Sequence, residues 1–179
     1  AALLAMGQSD LKRLLAWSTV SQVAIMLSAL AAAPVILEQQ PGEPPAVGVP
    51  PGPALAIVPG AALFHLWSHA LFKSLLFLCA GAVVHQTHTR QIDRLGGLAK
   101  GMPWTAASFV VGAVAICGLP PLKGFVSEWL VYLGMLRGVF ATGGSAVVAA
   151  GVPVLAAIGA LAVACFVKVF GAVFLGEAR

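Results

Sequence analysis

Charged side chains are scarce in this sequence. Lys and Arg supply ten of its 179 residues and Asp and Glu supply six, which together make 9%. Ordinary globular domains carry about 25% charged residues, whereas 60% of this chain is hydrophobic and its mean hydropathy is +0.97. Apolar stretches of about twenty residues, long enough to cross a bilayer as helices, recur along it. These features exclude a soluble domain and predict an all-α, polytopic membrane protein.

The patterns of several kinds of site are also missing. The three cysteines, Cys79, Cys117 and Cys165, stand singly in apolar segments without CxxC or Cys/His metal spacing, so they are interpreted as small core residues. Phosphate-binding glycine loops, dinucleotide fingerprints and nucleophilic triads are absent. The net charge of +4 comes from scattered basic residues rather than a stripe with interleaved aromatics. The sequence therefore predicts a lipid bilayer as partner and no nucleic acid.

Residues 64–85, FHLWSHALFKSLLFLCAGAVVH, form an apolar run that nevertheless carries polar groups. His65, His69 and Lys73 follow one another at intervals of four residues, which places them along one side of a helix. Such groups cost roughly 2.5–3.5 kcal/mol each to insert into hydrocarbon, and they typically mark proton or ion routes. The alternative is structural, with the histidines bonding between helices and the lysine reaching an interface.

A zinc site at His65 and His69 is a further alternative. The glutamate of an HExxH motif is absent and no third ligand is evident, and Lys73 would repel the cation. We therefore predict no metal ion here.

The apolar pattern predicts four crossings after the tail of an earlier one. The tail is residues 1–7, and the crossings are 11–33, 54–85, 104–140 and 145–175. The chain opens inside an apolar segment without an initiator Met or a basic leader, which predicts a fragment of a longer protein rather than a signal peptide.

Two loops differ sharply in composition. Residues 34–53 hold seven prolines and no Lys or Arg, which predicts an external loop without regular structure. Residues 86–103 hold Arg90, Arg94 and Lys100 against one acid, which predicts a cytoplasmic loop.

The crossing at 104–140 is too long to be a regular helix. It would measure about 55 Å against a hydrocarbon core of ~30 Å. The sequence CGLPPLKGFVSEWL predicts a break near 118–124, because it contains Gly118, Pro120, Pro121 and Gly124. Lys123 and Glu128 lie close to this break, where transporters place ion sites. The alternative is an ordinary loop between two short helices, but only a single interrupted crossing keeps the basic loops on one side.

Two further lysines lie in or beside crossings. Lys12 follows Ser9 and Asp10, either of which can cap the helix, and marks the aqueous end of the crossing at 11–33. Lys168 lies inside the last crossing, roughly 10 Å from its cytoplasmic end, where snorkelling and a buried role both remain open. Burial lowers the pKa of a lysine and raises that of a carboxyl group, and imidazoles titrate near neutrality, so such groups suit a hydrated proton path. The predicted path comprises Lys73, His69, His65, Glu128, Lys12, Lys168 and Lys123.

Four separated motifs, in order, carry a resemblance that covers nearly the whole chain. They are SDLKRLLAWSTVSQ, FHLWSHALFKSLLFL, TRQIDRLGGLAKGMPW and GLPPLKGFVSEWL. Together they resemble the antiporter-like, proton-conducting membrane subunits of respiratory complex I, Mrp-type cation/proton antiporters and membrane-bound hydrogenases. The segments 69–78 and 103–130 are most similar to the large membrane subunits of hydrogenase-4 and formate hydrogenlyase. The resemblance implies a fragment of a fold of about fourteen helices in inverted repeats, each with one broken helix.

The resemblance also implies roles for individual residues. Lys73 matches the family's central lysine, Glu128 the charged position on the broken helix, and Lys12 the basic residue at a helix start. No flavin, quinone or iron–sulfur site is expected in this chain, because redox chemistry would belong to other membrane subunits and a peripheral redox arm. The implied location is multi-pass in the inner (plasma) membrane.

Three functions remain open at this point. The first is a non-redox, proton-translocating subunit of an oxidoreductase complex of the hydrogenase-4, formate hydrogenlyase or complex I kind. The others are a Mrp-type Na⁺/H⁺ antiporter subunit and a structural membrane scaffold.

Overall fold

The computed structural model of the chain describes residues 1–38, 51–141 and 146–177. Over these ranges the chain is helical, with a single 3-10 turn at Ile92–Arg94 and no strand. The helices are α1 (Ala2–Met6), α2 (Leu11–Glu38), α3 (Pro51–Thr87), α4 (Leu98–Gly101), α5 (Pro103–Ile116), α6 (Lys123–Ala141) and α7 (Ala146–Phe174).

Three of these helices are long and apolar enough to cross a membrane. The spans are Leu11–Ala31 in α2, Ile57–Thr87 in α3 and Ala149–Phe174 in α7. Large apolar side chains such as Trp67, Leu78 and Val167 face outward from them, as expected where the surroundings are hydrocarbon. The prediction of an all-α membrane protein is confirmed.

The prediction for residues 34–53 is wrong at both ends of the loop. Helix α2 continues past Pro34 to Glu38, and α3 already begins at Pro51. A helix can carry one proline at the loss of one hydrogen bond, and a proline in the first turn loses none. The predicted loop residues 39–50 lie outside the described part of the chain.

Helices α5 and α6 follow one another along α3 as one interrupted crossing. Their contacts with α3 run steadily backward along it: Gly112 with Leu76, Ser127 with His65, and Gly134 with Val58. Two separate crossings would not produce this single antiparallel order. The predicted broken helix is therefore confirmed, with the non-helical residues at 117–122.

The break is built by glycine. Helix α5 ends in a Schellman motif, in which Gly118 N–H donates to Ala115 C=O (3.3 Å) and Leu119 N–H donates to Val114 C=O (3.2 Å). Gly118 has a φ of 61°, a left-handed conformation that glycine adopts without strain. These bonds satisfy backbone groups that would otherwise be exposed at membrane depth.

The loop segments join at one end of the bundle, here called the basic end and defined by residues 88–100. Leu11 N–H donates to Arg90 C=O (3.0 Å), and Ile92 N–H donates to Ser9 C=O (2.8 Å). Gly97 N–H donates to Leu175 C=O (3.1 Å). The start of α2, the end of α3 and the end of α7 therefore share this end.

Asp10 caps the first residues of α2. Its Oδ1 accepts hydrogen bonds from the backbone N–H groups of Lys12 (2.9 Å) and Arg13 (3.0 Å). This is the arrangement expected of an N-cap carboxylate. Of the two predicted caps, Ser9 and Asp10, the structure uses Asp10.

Cysteine labelling should place the basic end in the cytoplasm. Single cysteines at positions 90 and 100 are expected to react from the cytoplasmic side, and those at 45 and 143 from outside, because Lys and Arg are retained inside. The measurement is labelling by an impermeant thiol reagent in oriented vesicles, after Cys79, Cys117 and Cys165 are replaced. Cytoplasmic labelling at 143 would contradict this topology.

Candidate functional site: a buried polar layer

Polar side chains are buried together at mid-height in the bundle. This polar layer consists of Ser18, Ser21, Gln22, His65, Ser68, His69, Lys73 and Ser127, each at most 7% exposed. They come from α2, α3 and α6, and on each helix they share a face turned toward the others. Ser18, Ser21 and Gln22 are the members that α2 contributes.

Apolar clusters close the layer above and below. Toward the basic end lies a cluster that includes Leu14, Leu76, Phe109 and Phe166. Away from it lies a second cluster that includes Ile25, Val58, Val131 and Leu155. The polar layer is thus a polar zone inside an otherwise apolar core. Burying polar groups in such a core costs free energy, which indicates that they are retained for function.

His65 is hydrogen-bonded at both ring nitrogens. Nδ1 lies 2.9 Å from Ser127 Oγ on α6, and Nε2 lies 2.9 Å from Gln22 Oε1 on α2. The side chain is fully buried. His65 therefore joins three helices through one ring.

Lys73 is held by neutral groups. Its Nζ donates to Leu15 C=O (3.0 Å) and to Ser18 Oγ (2.5 Å) on α2. The ring of Phe166 lies 5.9 Å from Nζ, within cation–π range. In the described ranges no carboxylate pairs with Lys73. A lysine held this way keeps its hydrogen bonds either as an ammonium or as a neutral amine, since the amine still has two N–H groups.

His69 lies between these two groups on α3. Its ring is stacked with that of His65 at 6.4 Å between centroids and meets the edge of Phe72 at 5.3 Å. His69 Nε2 and the neighbouring Ser68 Oγ are buried and have no hydrogen-bond partner among the described residues. Each unsatisfied buried group costs about 1–3 kcal/mol, a cost that water can remove.

Glu128 occupies a different position, against the break. Its side chain is half-buried on α6, and its carboxyl group lies against the backbone of Gly118. A Cβ atom added to Gly118 would lie 3.0 Å from Glu128 Cδ. Cys117 and Tyr132 lie within electrostatic range of it. The structure thus brings Glu128 to the break, as predicted, one residue beyond the layer member Ser127.

The remaining predicted path residues lie outside the layer. Lys123 is exposed as the first residue of α6, and Lys12 is half-buried in the first turn of α2. Lys168 is exposed and donates from Nζ to Met6 C=O (2.9 Å), at the end of α1. A cation is favourable at a helix C-terminus, so this contact stabilises the end of α1.

Sequence reasoning did not single out Ser18, Gln22 and Ser127 as site residues. The sequence feature that could have identified them is their position. Ser18 and Gln22 are four residues apart in an apolar span, and Ser127 precedes Glu128.

A small pocket adjoins the polar layer. It has a volume of about 10 Å³, roughly the room for one water, and is lined by Ser18, Gln22 and Cys165 among others.

Potential metal ligands are scattered in the part of the chain that the structure describes. This part contains no group of three or more His, Cys, Asp and Glu side chains that could hold a metal ion.

Three proteins show what the chain is similar to. It is 44% identical over 180 residues to hydrogenase-4 component B of Escherichia coli, which covers 99% of this chain and 25% of that protein. It is 39% identical over 183 residues to formate hydrogenlyase subunit 3 of Escherichia coli, covering 99% and 28%. It is 39% identical over 133 residues to a Na⁺/H⁺ antiporter protein of Bacillus subtilis, covering 74% and 15%. The chain spans about a quarter of the length of the first two relatives.

A family profile matches most of the chain. Residues 1–39 and 56–159 match the family described as NADH:quinone oxidoreductase/Mrp antiporter, TM. These ranges include the polar layer and the break, and the resemblance predicted from the motifs is confirmed. The chain belongs to the NADH:quinone oxidoreductase/Mrp antiporter family of membrane proteins.

Proposed function

We propose that this chain is part of a proton-translocating membrane subunit of a membrane-bound redox complex. The observation that carries the proposal is the polar layer, in which Lys73 is buried among neutral hydrogen-bond acceptors and follows two histidines on α3. A relay group must exist in two protonation states. The two acceptors around Lys73 can bond both its charged ammonium and its neutral amine.

The charges in the layer favour protons over sodium ions. Its described members include one lysine and two histidines and no carboxylate. A sodium ion would lack a counter-charge there and would be repelled by a protonated Lys73. A proton instead moves by exchange between titratable groups and water.

Water would complete the route between His69 and its neighbours. His69 Nε2 and Ser68 Oγ need partners, and both lie on the helix face that carries His65 and Lys73. On this proposal protons move laterally through the layer, and Glu128 at the break exchanges them with one aqueous side.

The proposal also covers the membrane location of the chain and its partner subunits. Two of its relatives are named as a component of hydrogenase-4 and a subunit of formate hydrogenlyase. By that likeness we propose a multi-pass subunit of the inner (plasma) membrane that assembles with other membrane subunits and a peripheral redox arm. Flavin, quinone and iron–sulfur chemistry would then belong to those partners.

Replacing Glu128 by glutamine tests the proposal. Glu128→Gln keeps size and hydrogen bonding but removes the titratable charge, so proton pumping by the assembled complex should fall on the order of a hundredfold. The measurement is proton uptake by reconstituted vesicles, with complex yield determined in parallel.

Glu177→Gln is the matched control, because Glu177 is exposed near the end of α7. Unchanged pumping in Glu128→Gln would remove Glu128 from the path. Repeating the assay with and without sodium separates proton pumping from Na⁺/H⁺ exchange, since only exchange requires sodium.

A further inference from the structure

The hydrogen bonds around His65 limit which protons its ring can carry. Ser127 donates its hydroxyl proton to Gly124 C=O at 2.9 Å. The same hydroxyl oxygen also lies 2.9 Å from His65 Nδ1, so its one proton can be donated either to Gly124 C=O or to Nδ1. Donation to Gly124 C=O leaves Ser127 Oγ as an acceptor for His65, and Nδ1 of the ring then carries a hydrogen.

Gln22 faces the other nitrogen of the same ring. With Nδ1 protonated, Nε2 of neutral His65 is an acceptor and requires a donor, which is the amide NH₂ of Gln22. When Nε2 is protonated it requires an acceptor, which is Gln22 Oε1, the atom that lies 2.9 Å away in the structure. A half-turn of the amide exchanges these two groups without moving the rest of the side chain.

We propose that Ser127 and Gln22 are positioning residues, which hold His65 in the Nδ1–H tautomer, and that the Gln22 amide turns over whenever His65 Nε2 gains or loses a proton. The proposal rests on the proposed function as a proton-translocating chain. The proton comes from water or hydronium in the polar layer and returns there, so no other reactant is required.

In this arrangement His65 responds to the charge of the layer by gaining or losing a proton, but it does not pass protons freely along the path. Both ring nitrogens are bonded to protein, so a proton cannot pass through the ring unless one of the two bonds opens. The bond to Ser127 connects the ring to α6, one residue from Glu128. A proton at His65 is thereby coupled to the helix that begins at the break.

The charge of His65 depends on a small set of neighbours. His69 and Lys73 are the titratable groups beside it on α3, and Glu128 follows Ser127 on α6. On α2 the buried polar side chains of the layer are Ser18, Ser21 and Gln22, and Cys165 of α7 lines a small pocket with Ser18 and Gln22.

The tautomer can be measured directly. In the full-length protein with ¹⁵N-labelled histidine, the His65 signals are assigned by their loss in His65→Phe. The parent should show a protonated Nδ1 at every pH and a pH-dependent Nε2. Ser127→Ala should shift the neutral ring toward the Nε2–H tautomer, because Nδ1–H loses its acceptor.

Ser28→Ala is the matched control for this substitution. Ser28 also donates its hydroxyl to the carbonyl three residues earlier, Ile25 C=O at 2.8 Å, but it is outside the polar layer. Its replacement should leave the His65 signals unchanged. A Ser127→Ala spectrum identical to that of the parent would overturn the role of Ser127.

Gln22 is tested by a change that prevents the exchange of donor and acceptor. Gln22→Glu has the same shape but no NH₂ group, so its carboxylate should keep His65 protonated and reduce proton uptake roughly ten- to hundredfold. The His65 signals should then remain those of the imidazolium as pH is raised. The control is Gln86→Glu, at an exposed position near the end of α3.

The two proposals can fail separately. A parent protein that takes up no protons would contradict the proposed function, while the ring signals would still report whether Ser127 and Gln22 set the tautomer. Conversely, parental uptake by Gln22→Glu together with a normally titrating His65 would overturn the amide turnover and leave the proposed function standing.

Discussion

Lys73→Met is expected to stop proton translocation while the protein still inserts and assembles. Methionine fills a similar volume and costs less to place in the membrane than lysine. The substitution also leaves no buried donor unsatisfied, because Ser18 keeps its bond to Leu15 C=O at 2.9 Å. Without the titratable amine of Lys73 in the layer, uptake should fall by on the order of a hundredfold or more.

Lys73→Arg completes this test. Arginine keeps the positive charge but does not release its proton in proteins, so a relay role predicts that this variant fails as well. A structural lysine predicts the opposite order, with arginine tolerated and methionine harmful to assembly. Proton uptake and the yield of assembled complex are measured together, with Lys100→Met at the exposed basic end as control. Full uptake by Lys73→Arg would exclude Lys73 as the relay.

The α3 part of the site could be predicted from the sequence because it depends on one helix. His65, His69 and Lys73 are four residues apart, and a regular helix places such residues on one face whatever surrounds it. The cost of burying them in an apolar span then indicates a functional layer. Their burial in the structure agrees with this reasoning.

The partners of these residues could not be predicted in the same way. Whether Gln22 reaches His65 or Lys73 depends on the relative height of α2 and α3, and whether Ser127 reaches either depends on where the break ends. These heights are set by packing between helices and leave no local pattern in the sequence. For the same reason the sequence could not show that Lys12, Lys123 and Lys168 lie outside the layer. Their part in the path stays a prediction.

Composition indicated the break more reliably than it indicated the loop before α3. At the break two glycines have structural requirements that only glycine meets, so the local sequence determines the outcome. At Pro34 and Pro51 the prolines are compatible with helix as well as with loop, and counting them overestimated the loop. The inverted-repeat arrangement of about fourteen helices concerns a longer protein and stays a prediction.

Gly124 is the residue on which the geometry of the break depends most directly. A Cβ at this position would overlap the backbone carbonyl oxygen of Ala115 and would lie 2.8 Å from its carbonyl carbon. The start of α6 thus packs backbone to backbone against the end of α5. Because Ser127 and Glu128 follow within four residues, this close approach also fixes the height at which they meet the polar layer and the break.

Gly124→Ala should therefore destabilise the protein and displace the start of α6. The obstacle is backbone rather than a flexible side chain, so the cost should lie at or above the upper part of the range of about 1–3 kcal/mol for overpacking. Gly81→Ala on α3 is the control, because a Cβ there meets nothing within 4 Å and the change should stabilise the helix by roughly 0.5–1 kcal/mol. The measurements are the melting temperature of the purified full-length protein and proton uptake at a temperature where the variant remains folded. We expect both to fall in Gly124→Ala and neither to fall in Gly81→Ala. A Gly124→Ala protein with parental stability and uptake would show that α6 does not need this close approach to hold Ser127 and Glu128 in place.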